Sequence, residues 1–472
     1  MYNKVNKQII QKLIDIVGKS QVISDRDKMV DYSHDEFSLA EIGRLPEVVV
    51  RPQSTAQVAK ILKLANKERI PVTPRGGATG LCGGCVPWLG GIVVSLEKMN
   101  KMVEVDSHNQ MAVAQAGLRL SDFYQKVEEA GLFFPPHPGE ESAMIGGLIA
   151  TNAGGARAVK YGVIRNYVKG LEVVLASGQI VKLGGKLMKS STGYNLLNLI
   201  IGSEGTLAIV TQAIIQLMPA PAVIRSLIIP FLDLEKAVET VPYLIAHQIL
   251  PMAVEFIPRS VLVITEQYLK KKWPCSQGKT YLLVIIDASS EEEIDRLSER
   301  IAEICLEKEA LDVFVADSPQ KQKLVLEIRS AIYEAIKAQT LEILDIAVPR
   351  AEIAAHVKKV HEISEKYNIW LPTFGHAADG NVHTHIMKAR YEEGRLIPLA
   401  EKEWKPKIEI VRRELYGDCQ RRGGVISAEH GIGIVKKPYL YLALTEAEIS
   451  LMKGIKNLFD PNHILNPGKL FD

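Results

Sequence analysis

Pro138-Gly139-Glu140-Glu141-Ser142-Ala143-Met144-Ile145-Gly146-Gly147-Leu148-Ile149-Ala150-Thr151-Asn152-Ala153-Gly154-Gly155 is the stretch from which the rest of the chain is read. Glycines on both sides of a short apolar run permit positive φ and close backbone approach, which lets consecutive N–H groups point at an anion. The run continues through Arg157, Lys160, Tyr161 and Gly162. Upstream, after the strand-like residues 71–73, stands Pro74-Arg75-Gly76-Gly77-Ala78-Thr79-Gly80-Leu81-Cys82-Gly83-Gly84. Downstream comes Gly202-Ser203-Glu204-Gly205-Thr206-Leu207-Ala208-Ile209-Val210-Thr211. Glycine loops this far apart are expected where several backbone segments converge on one bound anion or nucleotide. The first lacks the Lys-Ser/Thr ending of a P-loop, and no G-x-G-x-x-G follows a first strand, which argues against a Rossmann NAD site.

Around these loops the chain alternates β-branched runs with helical segments from residue 46 to 211. The runs are residues 47–50, Val72, 92–96 and 111–114, with a helix over 55–68, and the pattern reads as an α+β domain. Residues 1–42 form an N-terminal helical segment, with Ile9, Ile10, Leu13, Ile14 and Val17 at helical spacing before Gly18. After Pro219 and Pro221 longer amphipathic helices are expected over 234–249 (broken at Pro242), 291–310 and 321–338, between strands over 226–230 and 281–286. The boundaries are therefore set at 43–220 for the first domain, 221–440 for a second, and 441–472 for a C-terminal segment returning to the first. That segment holds a helix over 446–459 and two turn clusters, Asp460-Pro461-Asn462 and Asn466-Pro467-Gly468.

Composition narrows the function. With 57 Lys+Arg against 55 Asp+Glu the net charge is +2, which removes the electrostatic reason to expect nucleic acid or an anionic membrane as partner. Apolar runs fall far short of the roughly 18 residues a membrane helix needs, and the N-terminus lacks a signal-peptide core. Five cysteines in no regular framework fit reduced thiols in a cytoplasmic protein. Cys82 and Cys85 supply only half a structural zinc site and read as small packing residues. No C-x-x-C-x-x-C run exists, so the chain holds no iron–sulfur cluster of its own.

The second chemical signal is Phe374-Gly375-His376-Ala377-Ala378-Asp379-Gly380-Asn381-Val382-His383-Thr384-His385. Asp379-Gly380-Asn381 is a turn signal, so the flanks are expected to pair as a hairpin that brings His376 near His383. Ser427-Ala428-Glu429-His430-Gly431-Ile432-Gly433 follows. Two imidazoles and a carboxylate suit a divalent metal with open positions, whereas His385 and His361 read as ordinary histidines.

The three glycine motifs together resemble the FAD-binding domain of the vanillyl-alcohol oxidase and p-cresol methylhydroxylase superfamily. The resemblance implies that Pro74, Arg75, Gly76, Gly77, Ala78, Thr79, Gly80 and Leu81 hold the FAD pyrophosphate. It places Pro138, Gly139, Ser142, Ala143, Gly146, Gly147, Asn152, Ala153, Gly154, Gly155, Lys160, Tyr161, Gly162, Glu204, Gly205, Ile209 and Asn466 around the rest of the cofactor. Relatives that attach flavin covalently do so through a histidine in the first loop; residues 75–80 contain none, so FAD is expected to be dissociable. The later segments resemble the C-terminal FAD-linked oxidase domain of the group that comprises D-lactate dehydrogenase, D-2-hydroxyglutarate dehydrogenase and the flavin-bearing chain of glycolate oxidase. By that resemblance His376, His383 and Glu429 ligate a divalent metal (Fe2+, Zn2+ or Mn2+), His430 is the catalytic base, and Arg329 clamps the substrate carboxylate. Some relatives carry a lysine where this chain has the apolar Ile343.

The implied reaction is oxidation of a D-2-hydroxy acid, first of all D-lactate, with the metal chelating hydroxyl and carboxylate while His430 takes the hydroxyl proton. Glycolate and D-2-hydroxyglutarate are the alternative substrates, with a quinone as alternative acceptor; a single matched arginine favours a small monoacid. An electron-transferring flavoprotein is the implied partner, as in electron-bifurcating relatives, and a homodimer the implied assembly. A flavin relay without substrate chemistry is the competing reading, and the complete histidine and carboxylate set speaks against it.

Overall fold

The structure is a computed structural model describing residues 2–37 and 40–471. The chain divides into two compact units: Met1–Ala153, Val163–Ala220 and Glu429–Asp472 form the first, and Gly154–Gly162 with Pro221–Ala428 the second. Both mix helices and sheets, the α+β class expected. The division differs from the sequence boundaries in three places: the N-terminal segment set apart at 1–42 belongs to the first unit, and two further differences have local causes. Residues 154–162 belong to the second unit because Lys160 and Tyr161 bond to Asp287 there. The return to the first unit comes at Glu429, since Glu204 holds the backbone of Ile432 and Gly433.

In the first unit a four-stranded sheet runs Val22–Ile23, Val48–Val50, Ile92–Ser95, Val72–Arg75. Its last three strands are mutually parallel, and their valines are buried on both faces, as a covered parallel sheet requires. The helix Thr55–Glu68 connects two of them, capped by the Ser54 side chain and ending on Arg69 in the left-handed region. An antiparallel five-stranded sheet orders Met102–Asp106, Met111–Gln115, Ala208–Gln216, Val168–Leu175 and Ile180–Gly184.

The second unit is built on a seven-stranded antiparallel sheet ordered Phe314–Val315, Val223–Phe231, Thr280–Ala288, Ala253–Pro258, Thr373–His376, Asn381–Met387, Thr340–Ala347. Helices Arg259–Leu269, Pro319–Ser330 and Ile332–Ile336 pack a core of Ile228, Ile257, Leu262, Tyr281, Val325, Ile328 and Phe374.

Two helix expectations need correction. Leu234–Ala246 is continuous through Pro242, because Leu234, Ala237, Val238, Val241 and Leu244 all bury on one side and outweigh the backbone bond that proline forgoes. The single helix expected over 321–338 is instead Pro319–Ser330, Ile332–Ile336 and a 3-10 turn Lys337–Gln339. Ser318 caps its start and Pro319 occupies the first turn, so it begins two residues early. The break at Ala331 lets both Val325/Ile328 and Ile332/Ile336 reach the core.

Candidate active site

The glycine motifs of the first unit meet. Gly202 and Glu204 donate their N–H groups to the carbonyls of Ile149 and Ala150, at 3.0 and 2.8 Å, tying the third motif to the end of the helix Ile145–Thr151. Gly205, at φ +69°, lies so close to Pro74 that a Cβ would stand 2.5 Å from its Cγ, so only glycine lets first and third loops touch. Asn466 Nδ2 donates to the carbonyls of Gly84 and Glu204, at 2.9 and 2.7 Å, and buried Lys469 donates to those of Val86 (2.7 Å) and the Asn466 amide (3.1 Å). Burial lowers the Lys469 ammonium to about 8.

Four non-glycine residues of these motifs occupy the left-handed region: Ala78 (φ 61°), Asn152 (52°), Glu204 (52°) and Asn466 (42°). Such conformations cost energy and concentrate where a ligand dictates backbone shape. Gly147, beside them, opens on free space where a Cβ would lie. Loops brought together, backbone held in unusual conformations and open space on one side fit a dinucleotide cofactor. The Arg75 side chain is engaged elsewhere. Its guanidinium donates to the carbonyls of Asp31 and His34 and lies over the Tyr32 ring, so it anchors the N-terminal segment. Cys82 and Cys85 form no disulfide, and Cys82 Sγ donates to the Gly431 carbonyl at 3.1 Å; burial pushes Cys85 up to about 11, despite Arg75 beside it. Glu429 and His430 stand in this unit 3.6 Å apart, the carboxylate Oε1 facing Nε2.

In the second unit the Asp379-Gly380-Asn381 turn closes a hairpin in which His376 pairs with Asn381 and Phe374 with His383. The His376 and His383 rings lie edge to face, 5.3 Å between centroids. Nε2 of His383 is 2.7 Å from the Asn381 side-chain oxygen and 3.6 Å from Asp345, a fully buried carboxylate. Asp345 also accepts from Asn381 Nδ2 (2.9 Å), Ser427 Oγ (3.1 Å) and the Ala428 N–H (3.1 Å). Ala428 is thereby pinned, and Glu429 and His430 are the next two residues of the chain.

Nδ1 of His376 bonds to one oxygen of Glu255, and the other oxygen accepts from Arg329 through Nε, at 2.8 Å, and through Nη2. Burial alone would raise the Glu255 carboxyl, but Arg329 and His376 bring it down to about 2. Sequence reasoning gave neither Glu255 nor Asp345 a role. The signal for Glu255 was present: one charge inside Ala253-Val254-Glu255-Phe256-Ile257, a fully buried strand run. Lys160 (2.6 Å) and Tyr161 (2.8 Å), expected at the flavin, both bond to Asp287 in this structure.

Comparison with known proteins supplies the family. Residues 220–470 match the model "FAD linked oxidases, C-terminal domain", and residues 46–184 match "FAD binding domain". The chain belongs to the FAD-linked oxidases. It is a flavin-dependent oxidoreductase. A protein of Anaerostipes hadrus named D-lactate dehydrogenase is 42% identical over 99% of this chain and 98% of its own length. The D-lactate dehydrogenase of Archaeoglobus fulgidus is 44% identical over 90% of this chain and 91% of its own. The glycolate oxidase subunit GlcD of Bacillus subtilis is 38% identical over 99% and 97%. The solved structure of p-cresol methylhydroxylase with substrate bound superposes with a TM-score of 0.79 at 17% identity, over 100% of this chain and 99% of that one, which shows the shared fold. Among the described residues no helix is long and apolar enough to cross a membrane.

Proposed function

We propose that this protein oxidises a small D-2-hydroxy acid, D-lactate to pyruvate, with dissociable FAD and one divalent metal. The observation that carries the reading is the buried set in the second unit, where Glu255 joins Arg329 to His376 while Asp345 and Asn381 hold His383. The two D-lactate dehydrogenase relatives support the substrate.

His376, His383 and Glu429 would hold the metal, and the donor set fits: two imidazoles and a carboxylate suit Zn2+, Fe2+ or Mn2+. A histidine whose other ring nitrogen is bound by a carboxylate, as His376 is by Glu255, has the arrangement usual for metal ligands. Bound FAD supplies the acceptor for hydride leaving the hydroxyl-bearing carbon, and the bound metal the Lewis acid that acidifies the hydroxyl. Arg329 orients the substrate through its carboxylate, its Nη1 being the nitrogen not engaged by Glu255. His430 takes the hydroxyl proton. With Ile343 apolar, one matched cation faces one substrate carboxylate, which favours a monoacid over a diacid. The chain has no iron–sulfur cysteine run, so the electrons leave reduced FAD for oxygen, a quinone or a partner protein, and the resemblance to electron-bifurcating relatives favours an electron-transferring flavoprotein.

The test is the anaerobic visible spectrum of metal-replete, FAD-loaded protein on adding D-lactate, L-lactate, glycolate or D-2-hydroxyglutarate. Bleaching by D-lactate alone is expected; bleaching by another acid moves the substrate, and none by any returns the flavin-relay reading. Acid precipitation is expected to leave the yellow chromophore in the supernatant.

A further inference from the structure

We propose that Glu255 is a positioning residue that fixes the metal-ligating His376 and the substrate-binding Arg329 with one carboxylate. The inference rests on the metal and substrate reading above and adds a residue to it.

Glu255 lies in the strand Ala253–Pro258, near the middle of the seven-stranded sheet, between Val254 and Phe256, and is 1% exposed. The ladder sets it directly opposite His376 on the neighbouring strand, with Phe256 opposite Gly375. Cross-strand partners share a face at the closest side-chain spacing a sheet offers, so the register alone delivers the carboxylate to the imidazole. Arg329 comes from elsewhere, one residue before the end of the helix Pro319–Ser330, and lies with its guanidinium carbon 5.9 Å from the centre of the Phe374 ring.

The oxygens divide the work: Oε1 takes His376 Nδ1, and Oε2 takes Nε and Nη2 of Arg329. An ionised carboxylate only accepts, so Nδ1 of His376 carries the proton and Nε2 keeps the lone pair a metal requires. The same charge turns the Arg329 fork and leaves Nη1 for a ligand. A buried ion triad is a poor way to gain stability, since apolar side chains of similar volume commonly serve as well or better. In a strand whose neighbours are Ala253, Val254, Phe256 and Ile257, the carboxylate is explained by what it orients.

The experiment uses FAD-loaded protein stripped of metal, titrated with Zn2+ in competition with a chromophoric chelator, followed by steady-state kinetics with D-lactate. A neutral amide offers one acceptor oxygen and repels with its NH2, so Glu255→Gln serves only one partner. We expect Glu255→Gln to bind FAD normally, to bind Zn2+ about 10–100-fold more weakly, the loss typical of removing a ligand's outer partner, and to show a raised KM for D-lactate. Glu255→Asp keeps the charge but is one methylene short, and a fall of about 3–10-fold is expected by the same reasoning. It serves as the second test should Glu255→Gln fail to accumulate as folded flavoprotein. Zn2+ affinity within twofold of wild type in either variant overturns the proposal, and a lost affinity with unchanged KM overturns the link to Arg329. Wild-type protein that takes up no stoichiometric Zn2+ overturns the metal reading itself, a result distinct from wild-type binding that Glu255→Gln leaves unchanged.

Discussion

Glu204→Ala removes the acceptor that ties the segment after His430 to the glycine loops. One carboxylate oxygen accepts the N–H of Ile432 at 2.7 Å and the other that of Gly433 at 2.8 Å, and the side chain is almost wholly buried. Burial raises the Glu204 carboxyl above its ordinary range, against the lowering effect of those two bonds. A buried N–H deprived of its acceptor costs about 1–3 kcal/mol. Gly433 is buried and Ile432 partly so, which sets an upper bound of about 6 kcal/mol for the two groups, and the carboxylate desolvation no longer incurred brings the expectation to about 3 kcal/mol. For a unit of this size that corresponds to a fall of about 6–12 °C in its unfolding transition. Glu204→Gln keeps one acceptor oxygen and is expected to fall less. The assay is scanning calorimetry of FAD-loaded protein at fixed free FAD, since bound ligand raises Tm by mass action. Ile432 and Gly433 stand two and three residues after His430, so slower flavin bleaching by D-lactate is expected alongside. A Glu204→Ala transition within 1 °C of wild type, beside an estimate of about 6 °C or more, would refute the reasoning.

Asp35 gives a pH dependence. Although it accepts the N–H groups of Gly83 (2.7 Å) and Phe37 (3.1 Å), burial holds its carboxyl up at about 6, against an ordinary 3.8. Because the folded-state value is raised, the contribution is fully present below pH 3.8 and is lost as pH rises through about 6. From pH 7 to pH 4 wild type is therefore expected to gain up to about 3 kcal/mol over Asp35→Asn in urea unfolding, and parallel profiles would contradict this. Burial also raises Cys85 to about 11 and Cys305 and Cys419 to about 12. Since the thiolate is the nucleophile, native protein at pH 8 should consume less than about one equivalent of iodoacetamide while the unfolded chain consumes all its thiols. Rapid native labelling at Cys85 would count against it.

Elements whose signal is local are legible in the chain itself. The helix over 55–68 has its Ser54 cap and apolar period, the helix over 446–459 its Thr445/Glu448 capping box, and both form over those residues. The Asp379-Gly380-Asn381 turn sets the hairpin that brings the His376 and His383 rings together, because a turn and its flanks lie within a dozen residues. The glycine motifs announce a cofactor because glycine's conformational freedom is written residue by residue.

Long-range register is not legible. Nothing in the order of residues tells that Glu255 stands opposite His376, 121 positions on, or that Arg329 arrives on the same carboxylate from a helix. A strand's apolar pattern says which face is buried but not which strand lies beside it. For the same reason the order of residues does not tell that the Arg75 guanidinium meets the Asp31 and His34 carbonyls, or that Lys160 and Tyr161 meet Asp287. Pro242 stays inside a helix because the apolar face packs around it, a tertiary gain that local propensity does not contain. Residue types and local spacing thus determined the chemistry available to this protein, and packing of distant segments decided which side chains hold one another in place, since a buried charge keeps its position only through partners that the fold brings to it.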